Sequence, residues 1–528
     1  MSDNNYQKYI RPAYFVGLAM MAIGLTLSPF LMSLAQFWLA GIWVIDGIVN
    51  KDFKEKWCRF KRNWIAWLLV SLYLLHVVGL IYTSDFQYAF KDLRVKLPLL
   101  ILPFVLSSMK PLERKQYDLL LNIYVLSVFV ATWFSFAHYL RHDYQDVREI
   151  SHFISHIRFC LQIVFCIFIT GYYLFKRQSK WWERLLEIAL IVWFCVQIYI
   201  FESLSGYVVL CASAFVTLYY IFVKSKFGQR WHWAVVALLL CILAFGGLKF
   251  YNLLSPLVKT ETVDFASLPK RTVQGNLYWH DTVYHTVEDG RYLGLYNCEK
   301  ELRETWPLRS SLDFDGKTQN GESLKATLMR YLTSKGLHKD AEGVMALTEQ
   351  DVKNIEQGVA NYNNWLHPGV RARISSTLFE YNLYKMSNNP NGGSLSQRIE
   401  YTRASFYLIK KHPVFGVGTG DIPSAYQQAY KDLNSPLSQE FRHKAHNQYL
   451  SIMVGFGIVG LLLFIAVLLL PFCSQKRHRT YLYTIFLCII LLSMLPEDTI
   501  ETQAGVSFFA FFNALFLLSF PTNEQPEN

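Results

Sequence analysis

The chain has 528 residues, of which 52% are hydrophobic, 16% aromatic and only 17% charged. Soluble domains carry about 25% charged residues, so this composition argues against a soluble multidomain enzyme, a disordered protein and a coiled coil. The apolar residues also occur in long runs, and a run of about 18 or more is typical of a transmembrane helix. We therefore expect a polytopic membrane protein.

Twelve apolar segments follow one another along the chain, and the fourth is short and interrupted by Pro98 and Pro103. They predict an all-α polytopic fold with about twelve transmembrane helices and with both termini on the same side of the membrane. The segments are 12–31, 33–49, 63–82, 95–108, 117–139, 154–175, 185–201, 204–223, 231–250, 447–472, 481–496 and 503–520.

The net charge of +11 has a topological explanation. If the N-terminus is cytoplasmic, the loops on that side carry most of the basic residues near the spans, as the positive-inside rule requires. These residues include Lys51, Lys54, Lys56, Arg59, Lys61, Arg62, Lys110, Arg114, Lys115, Lys176, Arg177, Lys180, Arg184, Lys476, Arg477 and Arg479. The basic excess thus needs no nucleic-acid partner.

One long polar insertion, 251–446, separates the ninth and tenth spans and lies outside the cytoplasm by the same count. The predicted domains are therefore 1–250 with helices one to nine, 251–446 as an exported loop domain, and 447–528 with helices ten to twelve. Of the nine cysteines, only Cys298 falls in the loop, so an intrachain disulfide is excluded there. No CxxC metal motif is present either.

Ionisable residues in or beside spans are costly and are candidates for function. Arg158 lies near the outer end of the sixth span, where it either snorkels to the interface or binds an anionic headgroup or diphosphate. Arg94 and Lys96 precede the fourth span and either join Arg158 or act as interfacial anchors. Glu497 and Glu501 lie at outer helix ends, where caps or ion-pair partners are favoured over catalysts.

The segment 394–460 contains the most informative motifs. Gly416 and Gly418 alternate after His412-Pro413, a pattern that forms either a tight structural turn, which is favoured, or an anion-binding nest of backbone amides. His446 lies at the mouth of the tenth span, where a neutral imidazole can accept a proton from a hydroxyl or can be purely structural. His443 has no convincingly spaced further ligands, so we expect no metal site.

Several segments together carry a family resemblance. They are Tyr82-Thr-Ser-Asp85, Asp92-Leu-Arg94-Val-Lys96, His156-Ile-Arg158-Phe, Ser203-Leu-Ser205-Gly206, Ser396-Gln-Arg398, His412-Pro-Val-Phe-Gly416-Val-Gly418, Ala445-His446-Asn447-Gln-Tyr449-Leu450 and Glu501-Thr-Gln503-Ala-Gly505. In this order they resemble the O-antigen ligase and polymerase family of bacterial inner-membrane glycan transferases. The resemblance is weak over about 255–350, which looks like an insertion.

The resemblance implies a GT-C-like, metal-independent glycosyltransferase without a cofactor. It implies an inner-membrane protein with its large loop in the periplasm. The implied donor is a glycan on undecaprenyl diphosphate, and the acceptor is a glycolipid, a glycan or a protein. Membrane lipids are the remaining partners, and no nucleic acid is expected.

The resemblance also implies roles for individual residues. The family's essential histidine falls on His446, and its arginines fall on Arg398 and Arg158. The chain departs from the family at Leu204, where many relatives carry a basic residue, so Arg373 is a further candidate for the diphosphate. The donor-binding set is completed by Arg94 and Lys96, and the supporting residues are Asn447, Gly416, Gly418 and Glu501.

Three transferase activities fit this chemistry and differ in the acceptor. A ligase joins the glycan to lipid A core, a polymerase extends the glycan, and a protein O-oligosaccharyltransferase uses Ser or Thr; we favour the ligase. A transporter or flippase of lipid-linked glycans is the alternative of another class. Transporters place their charges near the bilayer midplane, whereas the unusual residues here lie near the outer face.

Overall fold

The computed structural model of the protein describes residues 9–141, 147–176, 180–224, 246–252, 254–474 and 479–519. The chain divides into two compact units. We call the first the membrane unit; it comprises Met1–Val235, Tyr401–Ser435 and Arg442–Asn528. The second, the polar unit, comprises Val236–Glu400 and Pro436–Phe441.

The regular elements are mainly helices. In chain order they are α1 (Arg11–Leu27), α2 (Pro29–Asn50), α3 (Phe53–Arg62), α4 (Trp64–Val78), α5 (Phe86–Lys96), α6 (Pro98–Ser108), α7 (Arg114–Tyr139), α8 (His156–Lys176), α9 (Trp181–Phe201), α10 (Leu204–Lys224), β1 (Val287–Glu288), β2 (Arg291–Tyr292), α11 (Glu299–Thr305), α12 (Leu324–Lys335), α13 (Ala341–Met345), α14 (Glu349–Glu356), α15 (Tyr362–Leu366), α16 (Val370–Ser387), α17 (Ser394–Lys411), α18 (Ile422–Asp432), α19 (Gln448–Ser474), α20 (Tyr481–Ser493) and α21 (Gln503–Leu518). Helices α1–α10 and α18–α21 belong to the membrane unit, whereas β1, β2 and α11–α16 belong to the polar unit. The boundary between the units falls within α17.

Within the described residues, seven helices are long and apolar enough to cross a membrane: α2, α4 with the 3-10 turn Gly79–Tyr82, α7, α8, α9, α10 and α19. Helices α1, α20 and α21 are apolar but shorter. The prediction of a helical polytopic membrane protein is therefore confirmed, whereas the number of twelve spans stays a prediction. Most of the predicted ninth span, 231–250, lies outside the described residues.

Two predicted boundaries differ from the structure because of proline. The first and second helices meet at Pro29 rather than near residue 32, since Ser28 is extended and its Oγ accepts a hydrogen bond from Leu31 N at 3.2 Å. The predicted fourth span, 95–108, is not a single helix, because α5 ends at Lys96 and α6 begins with Pro98. Proline lacks the amide hydrogen and therefore favours the first turn of a new helix.

Each unit has its own apolar core. In the membrane unit, the rings of Tyr124 and Phe165 both lie 4.9 Å from the ring of Phe512, which joins α7, α8 and α21. In the polar unit, Trp306 and Tyr331 are fully buried among leucine, valine and isoleucine side chains of α11–α14. Small β elements contribute little there, since β1 and β2 form a two-residue antiparallel pair.

Helix α19, the predicted tenth span, is interrupted near its start. Gly457 has φ of +62° and ψ of −161°, which is not helical and is accessible essentially only to glycine. The amide of the next residue, Ile458, donates to Pro413 O at 2.9 Å. The segment after α17 thus caps the break and fixes the first two turns of α19, which follow His446.

Candidate functional site

His446 lies two residues before the start of α19 at Gln448. Its backbone φ is +48°, a left-handed conformation that is uncommon for a residue other than glycine. The side chain is 36% exposed, and its Nδ1 lies 3.7 Å from Oδ1 of Asp498. The ring centroid of Tyr401, a buried residue, lies 5.5 Å from that of the imidazole. The imidazole is thus held between an aromatic ring and a carboxylate while part of it remains accessible.

Two adjacent carboxylates, Glu497 and Asp498, precede the 3-10 turn Thr499–Glu501 between α20 and α21. Glu497 Oε2 pairs with Arg158 Nη2 at 3.6 Å, which is the kind of role that the sequence favours for it. Sequence reasoning misses Asp498, because a single acidic residue at a helix end is ordinarily a cap. The only sequence signal for it is the acidic pair itself, at the mouth of an apolar span.

Arg158 is placed in the first turn of α8. Its Nη1 donates to Ser155 Oγ at 3.1 Å, and its Nε is buried without a hydrogen-bond partner among the described residues. The side chain lines a small cavity together with Gln162 and Ser493. A guanidinium with an unsatisfied N–H beside a cavity is suited to an additional anionic oxygen. The structure therefore brings Arg158 and His446 together through the neighbouring residues Glu497 and Asp498.

A cluster of charged side chains contacts the residues that flank His446 in the chain. Lys96 Nζ is 2.6 Å from Asp92 Oδ1 and 3.1 Å from Glu501 Oε2, and Lys444 Nζ is 3.4 Å from the same Glu501 oxygen. Burial alone would raise the pKa of the Glu501 carboxyl, but the two ammonium groups outweigh it and hold this pKa well below its usual range. Burial would lower the pKa of Lys444, yet the Glu501 carboxylate raises it above its usual range. Glu501 and Lys444 therefore remain charged near neutral pH.

This cluster revises the predicted role of Lys96. The side chain is 1% exposed and lies between two carboxylates, so its ammonium offers no accessible surface to a donor diphosphate. Arg94, two residues earlier on α5, is exposed. Residues two apart on a helix project roughly 200° apart, so only one of this pair can face outward. Donor binding by either residue stays a prediction, and the burial of Lys96 in this cluster argues against it for Lys96.

The two glycines of the predicted turn are used for close packing. Gly416 and Gly418 have φ of +70° and +90°, and a Cβ on Gly416 would lie 2.3 Å from the carbonyl carbon of Gly455. The amides of Val417 and Gly418 donate to carbonyl oxygens of α19, both at 2.9 Å. Because these amides are already hydrogen-bonded, the geometry favours the structural turn over the anion nest.

The turn also carries contacts to the segment after α4. Asp421 accepts hydrogen bonds from the amides of Ser84 and Asp85, and Tyr82 Oη donates to Phe415 O at 2.8 Å. The family-like segments 82–85 and 412–418 are thus packed against each other. The sequence pattern of these two segments therefore reflects their packing against each other.

Asn447 has a supporting role of the predicted kind. Its Nδ2 donates to Leu495 O at 2.8 Å, and its Oδ1 accepts from Leu450 N at 3.0 Å. The first contact joins the segment before α19 to the end of α20, and the second caps the first turn of α19. Asn447 therefore restrains the backbone next to His446.

Arg373 and Arg398 lie in the polar unit, on α16 and α17 respectively, and both are half-buried. The Arg373 carbonyl accepts a hydrogen bond from Thr377 Oγ1 within α16. Their predicted contacts with a donor diphosphate stay predictions. Of the sequence-derived residues, the membrane unit thus assembles His446, Arg158, Asn447, Lys96 and Glu501 in one region.

The site also contains a group of possible metal ligands. One ligand atom each of His446, Glu497 and Asp498 lies within 4.8 Å of the others. Nitrogen and carboxylate donors at this spacing suit a divalent cation in general. Here the Arg158 guanidinium already lies against Glu497 and supplies positive charge at the same place.

Comparison with known protein families gives a match over part of the chain. Residues 369–465 match the family model described as O-Antigen ligase. The match contains Arg373, Arg398, Gly416, Gly418 and His446, whereas Arg158 lies outside it. A search of the curated proteins finds no match. The resemblance predicted from the sequence is confirmed for this segment of the chain.

Proposed function

We propose that this protein transfers a glycan from an undecaprenyl-diphosphate carrier to an acceptor hydroxyl on the periplasmic side of the bacterial inner membrane. The match of residues 369–465 to the O-antigen ligase family supports a role in the assembly of O-antigen or a related polysaccharide. Within that role we favour ligation of the glycan to lipid A core. A polymerase or a protein O-oligosaccharyltransferase would use the same site with another acceptor.

The observation that carries this proposal is the pairing of an accessible imidazole with a carboxylate beside an arginine. His446 Nδ1 faces Asp498 at 3.7 Å, and Arg158 lies against the adjacent Glu497 at 3.6 Å. A hydrogen on Nδ1, directed at the carboxylate, leaves the lone pair of Nε2 available as a base. A base and a phosphate-binding cation are the two groups that this transfer requires.

The proposed reaction is a one-step displacement. The acceptor oxygen attacks the anomeric carbon and forms the new glycosidic bond, while the bond from that carbon to the diphosphate oxygen breaks. The acceptor proton passes to His446 Nε2, and the lipid diphosphate leaves with the bonding electron pair. Negative charge grows on the diphosphate as it leaves, and Arg158 stabilises that charge. This geometry inverts the anomeric centre.

The position of the site in the membrane unit supports an outer-leaflet enzyme. His446 lies two residues before the start of α19 and Arg158 lies in the first turn of α8, so both are at the ends of membrane-capable helices. With the N-terminus in the cytoplasm, these are the periplasmic ends by the positive-inside count. A transporter would need its charged residues nearer the bilayer midplane. The Arg94 side chain, exposed on α5, is a further candidate to contact the carrier.

A reconstituted transfer assay tests the proposal. Wild type, His446→Ala and His443→Ala are each mixed with undecaprenyl-diphosphate glycan and, in separate reactions, lipid A core, free glycan or a peptide acceptor. We expect transfer to lipid A core by wild type, a loss of about 100-fold or more in His446→Ala, and near-normal transfer in His443→Ala. The matched control is apt because His443 lies three residues earlier, with its ring 6.1 Å from that of His446.

Each other outcome has a definite meaning. Undiminished transfer by His446→Ala would refute the catalytic assignment. Transfer only to free glycan or only to peptide would replace the ligase by one of the other two transferases. Lipid flipping without transfer to any acceptor would favour the transporter.

A further inference from the structure

The cluster of charged side chains that contacts the flanks of His446 is unusual in its depth and in its charge. Lys96 and Asp92 are almost completely buried, and the Glu501 side chain is 8% exposed. The second oxygen of Asp92, Oδ2, has no hydrogen-bond partner among the described residues and lies 4.0 Å from His76 Nε2. Burying this many charges is costly, and such networks contribute little net stability compared with apolar packing. A function other than stability is therefore the better explanation for it.

Glu501 contacts both sides of His446 along the chain. Its Oε2 pairs with Lys444, two residues before His446, and its Oε1 accepts from Gln448 Nε2, two residues after it, at 3.3 Å. The Oε1 of Gln448 in turn accepts from Ile500 N at 2.8 Å. One carboxylate thus fixes both flanks of the residue that adopts the left-handed backbone conformation.

The same turn supplies the carboxylate that faces the imidazole. Asp498 and Glu501 are three residues apart, at the start and the end of the Asp498–Glu501 turn, where Glu501 N donates to Asp498 O at 3.1 Å. Displacement of Glu501 would therefore move Asp498 relative to His446. Lys96 is the buried cation that reaches this turn from α5, and it pairs with the same Glu501 oxygen, Oε2, as Lys444 does.

We propose that Lys96 and Glu501 form a buried clamp that positions His446 against Asp498, and that Lys96 does not bind the donor. This inference rests on the proposed function of His446. Both residues are positioning residues, because their side chains are buried and contact the residues that flank His446 rather than a substrate. The clamp would be needed because the strained backbone at His446 persists only where its surroundings determine it.

A matched control for the clamp exists at another place in the membrane unit. Lys56 Nζ pairs with Asp46 Oδ2 at 2.6 Å, and both side chains are at most 2% exposed. Lys56→Met and Lys96→Met therefore make the same chemical change and each leaves a buried aspartate without its lysine. Any loss common to both variants reports damage to the fold, whereas a loss specific to Lys96→Met reports the clamp.

The test measures kcat and the KM for the lipid-linked donor in wild type, Lys96→Met, Lys56→Met and Glu501→Gln. We expect kcat to fall about 10- to 100-fold in Lys96→Met and Glu501→Gln while KM changes less than threefold, and both constants to stay near wild type in Lys56→Met. A positioning defect lowers kcat, whereas a lost donor contact raises KM. Glu501→Asp, which keeps the charge, should recover part of kcat.

The failure of the clamp and that of the proposed function are distinguishable. If wild type transfers glycan but Lys96→Met and Lys56→Met lose the same fraction of kcat, the clamp is refuted and the proposed function stands. A raised KM with normal kcat in Lys96→Met would restore its donor-binding role. If Lys96→Met does not fold, the isosteric Glu501→Gln decides, and unchanged kcat there overturns the inference.

Discussion

The polar unit and the membrane unit both bury charged side chains, but they surround them differently. In the polar unit, Asp351 accepts hydrogen bonds from Tyr331 Oη at 2.7 Å, Lys335 Nζ at 2.5 Å and Thr348 N at 2.8 Å. These contacts hold the pKa of Asp351 at about 2, below its usual value, although burial alone would raise it. The carboxylate is thus saturated with donors.

Around the candidate site, the membrane unit leaves some polar atoms less completely satisfied. Arg158 Nε and Asp92 Oδ2 are buried without hydrogen-bond partners among the described residues. The His446–Asp498 contact of 3.7 Å is longer than an ordinary hydrogen bond. Removing one partner of a saturated buried charge destabilises the fold, whereas unsatisfied charged groups near a cavity are typical of a site that completes its contacts with a substrate. The comparison therefore assigns a structural role to one set of charges and chemistry to the other.

Asp498→Asn gives the largest expected effect and tests the chemical half of this comparison. We expect kcat to fall about 100-fold, because an amide neither stabilises the imidazolium nor keeps the hydrogen on Nδ1. The thermal unfolding temperature should change little, since the His446–Asp498 contact of 3.7 Å is longer than an ordinary hydrogen bond. A variant that loses stability but keeps its turnover would place Asp498 with the structural charges.

Asp351→Asn is the opposite case, in the polar unit. We expect a local destabilisation of about 2 kcal/mol, because Lys335 loses its buried partner and the lowered pKa of Asp351 corresponds to roughly that amount. Hydrogen exchange of α12 and α14 in the full-length protein measures it. Turnover per folded molecule should equal that of wild type; a 100-fold loss would mean that saturated charges do not mark a structural role.

Several features of the membrane unit can be predicted from the sequence alone. Hydropathy places the ends of several helices within a few residues, as for α7 at Arg114–Tyr139 against the predicted 117–139. The motif at 445–450 also places His446 correctly at the start of α19. Both are local signals, set by residues that are neighbours in the chain, so one sequence suffices to read them.

The rest of the site depends on pairs of residues far apart in the chain. Lys96 and Glu501 are separated by 405 positions, and hydropathy does not indicate that they meet. For this reason Lys96 reads as an interfacial cation in the sequence but is buried in the structure. Asp498 is missed for the same reason, and the break at Gly457 is hidden because glycine is tolerated in apolar spans.

A smaller effect on stability is expected at Lys339, a buried cation in the polar unit. Its ammonium donates to Thr333 Oγ1 at 2.9 Å. Burial lowers the pKa of Lys339 to about 8 from its usual value, although Glu261 and Asp340 counteract part of this effect. Below pH 8 the lysine is protonated in both the folded and the unfolded state, so the folded state carries the full cost of burying the charge.

Lys339→Met should therefore stabilise the polar unit by about 1 kcal/mol at pH 7, after the lost hydrogen bond to Thr333 is taken into account. As the pH rises from 8 towards 10.5, the wild-type lysine deprotonates first in the folded state, wild type gains stability, and the advantage of the variant disappears. Hydrogen exchange of α12 at pH 7 and thermal unfolding from pH 7 to 10 measure this. A destabilised variant at pH 7 would show that Lys339 is better satisfied than its burial indicates.

Chelation should have the smallest effect, and it asks whether the open groups at His446 are metal ligands. A cation bound by His446, Glu497 and Asp498 would have to share Glu497 with Arg158, whose guanidinium already lies 3.6 Å away. A metal would also place a second positive charge beside that arginine, which electrostatics disfavours. We therefore expect the transfer rate to remain within twofold after treatment with EDTA, in a buffer free of divalent ions. Loss of activity that Mg²⁺, Mn²⁺ or Zn²⁺ restores would instead make these three residues a metal site, and Arg158 would then be a competitor of the cation rather than its substitute.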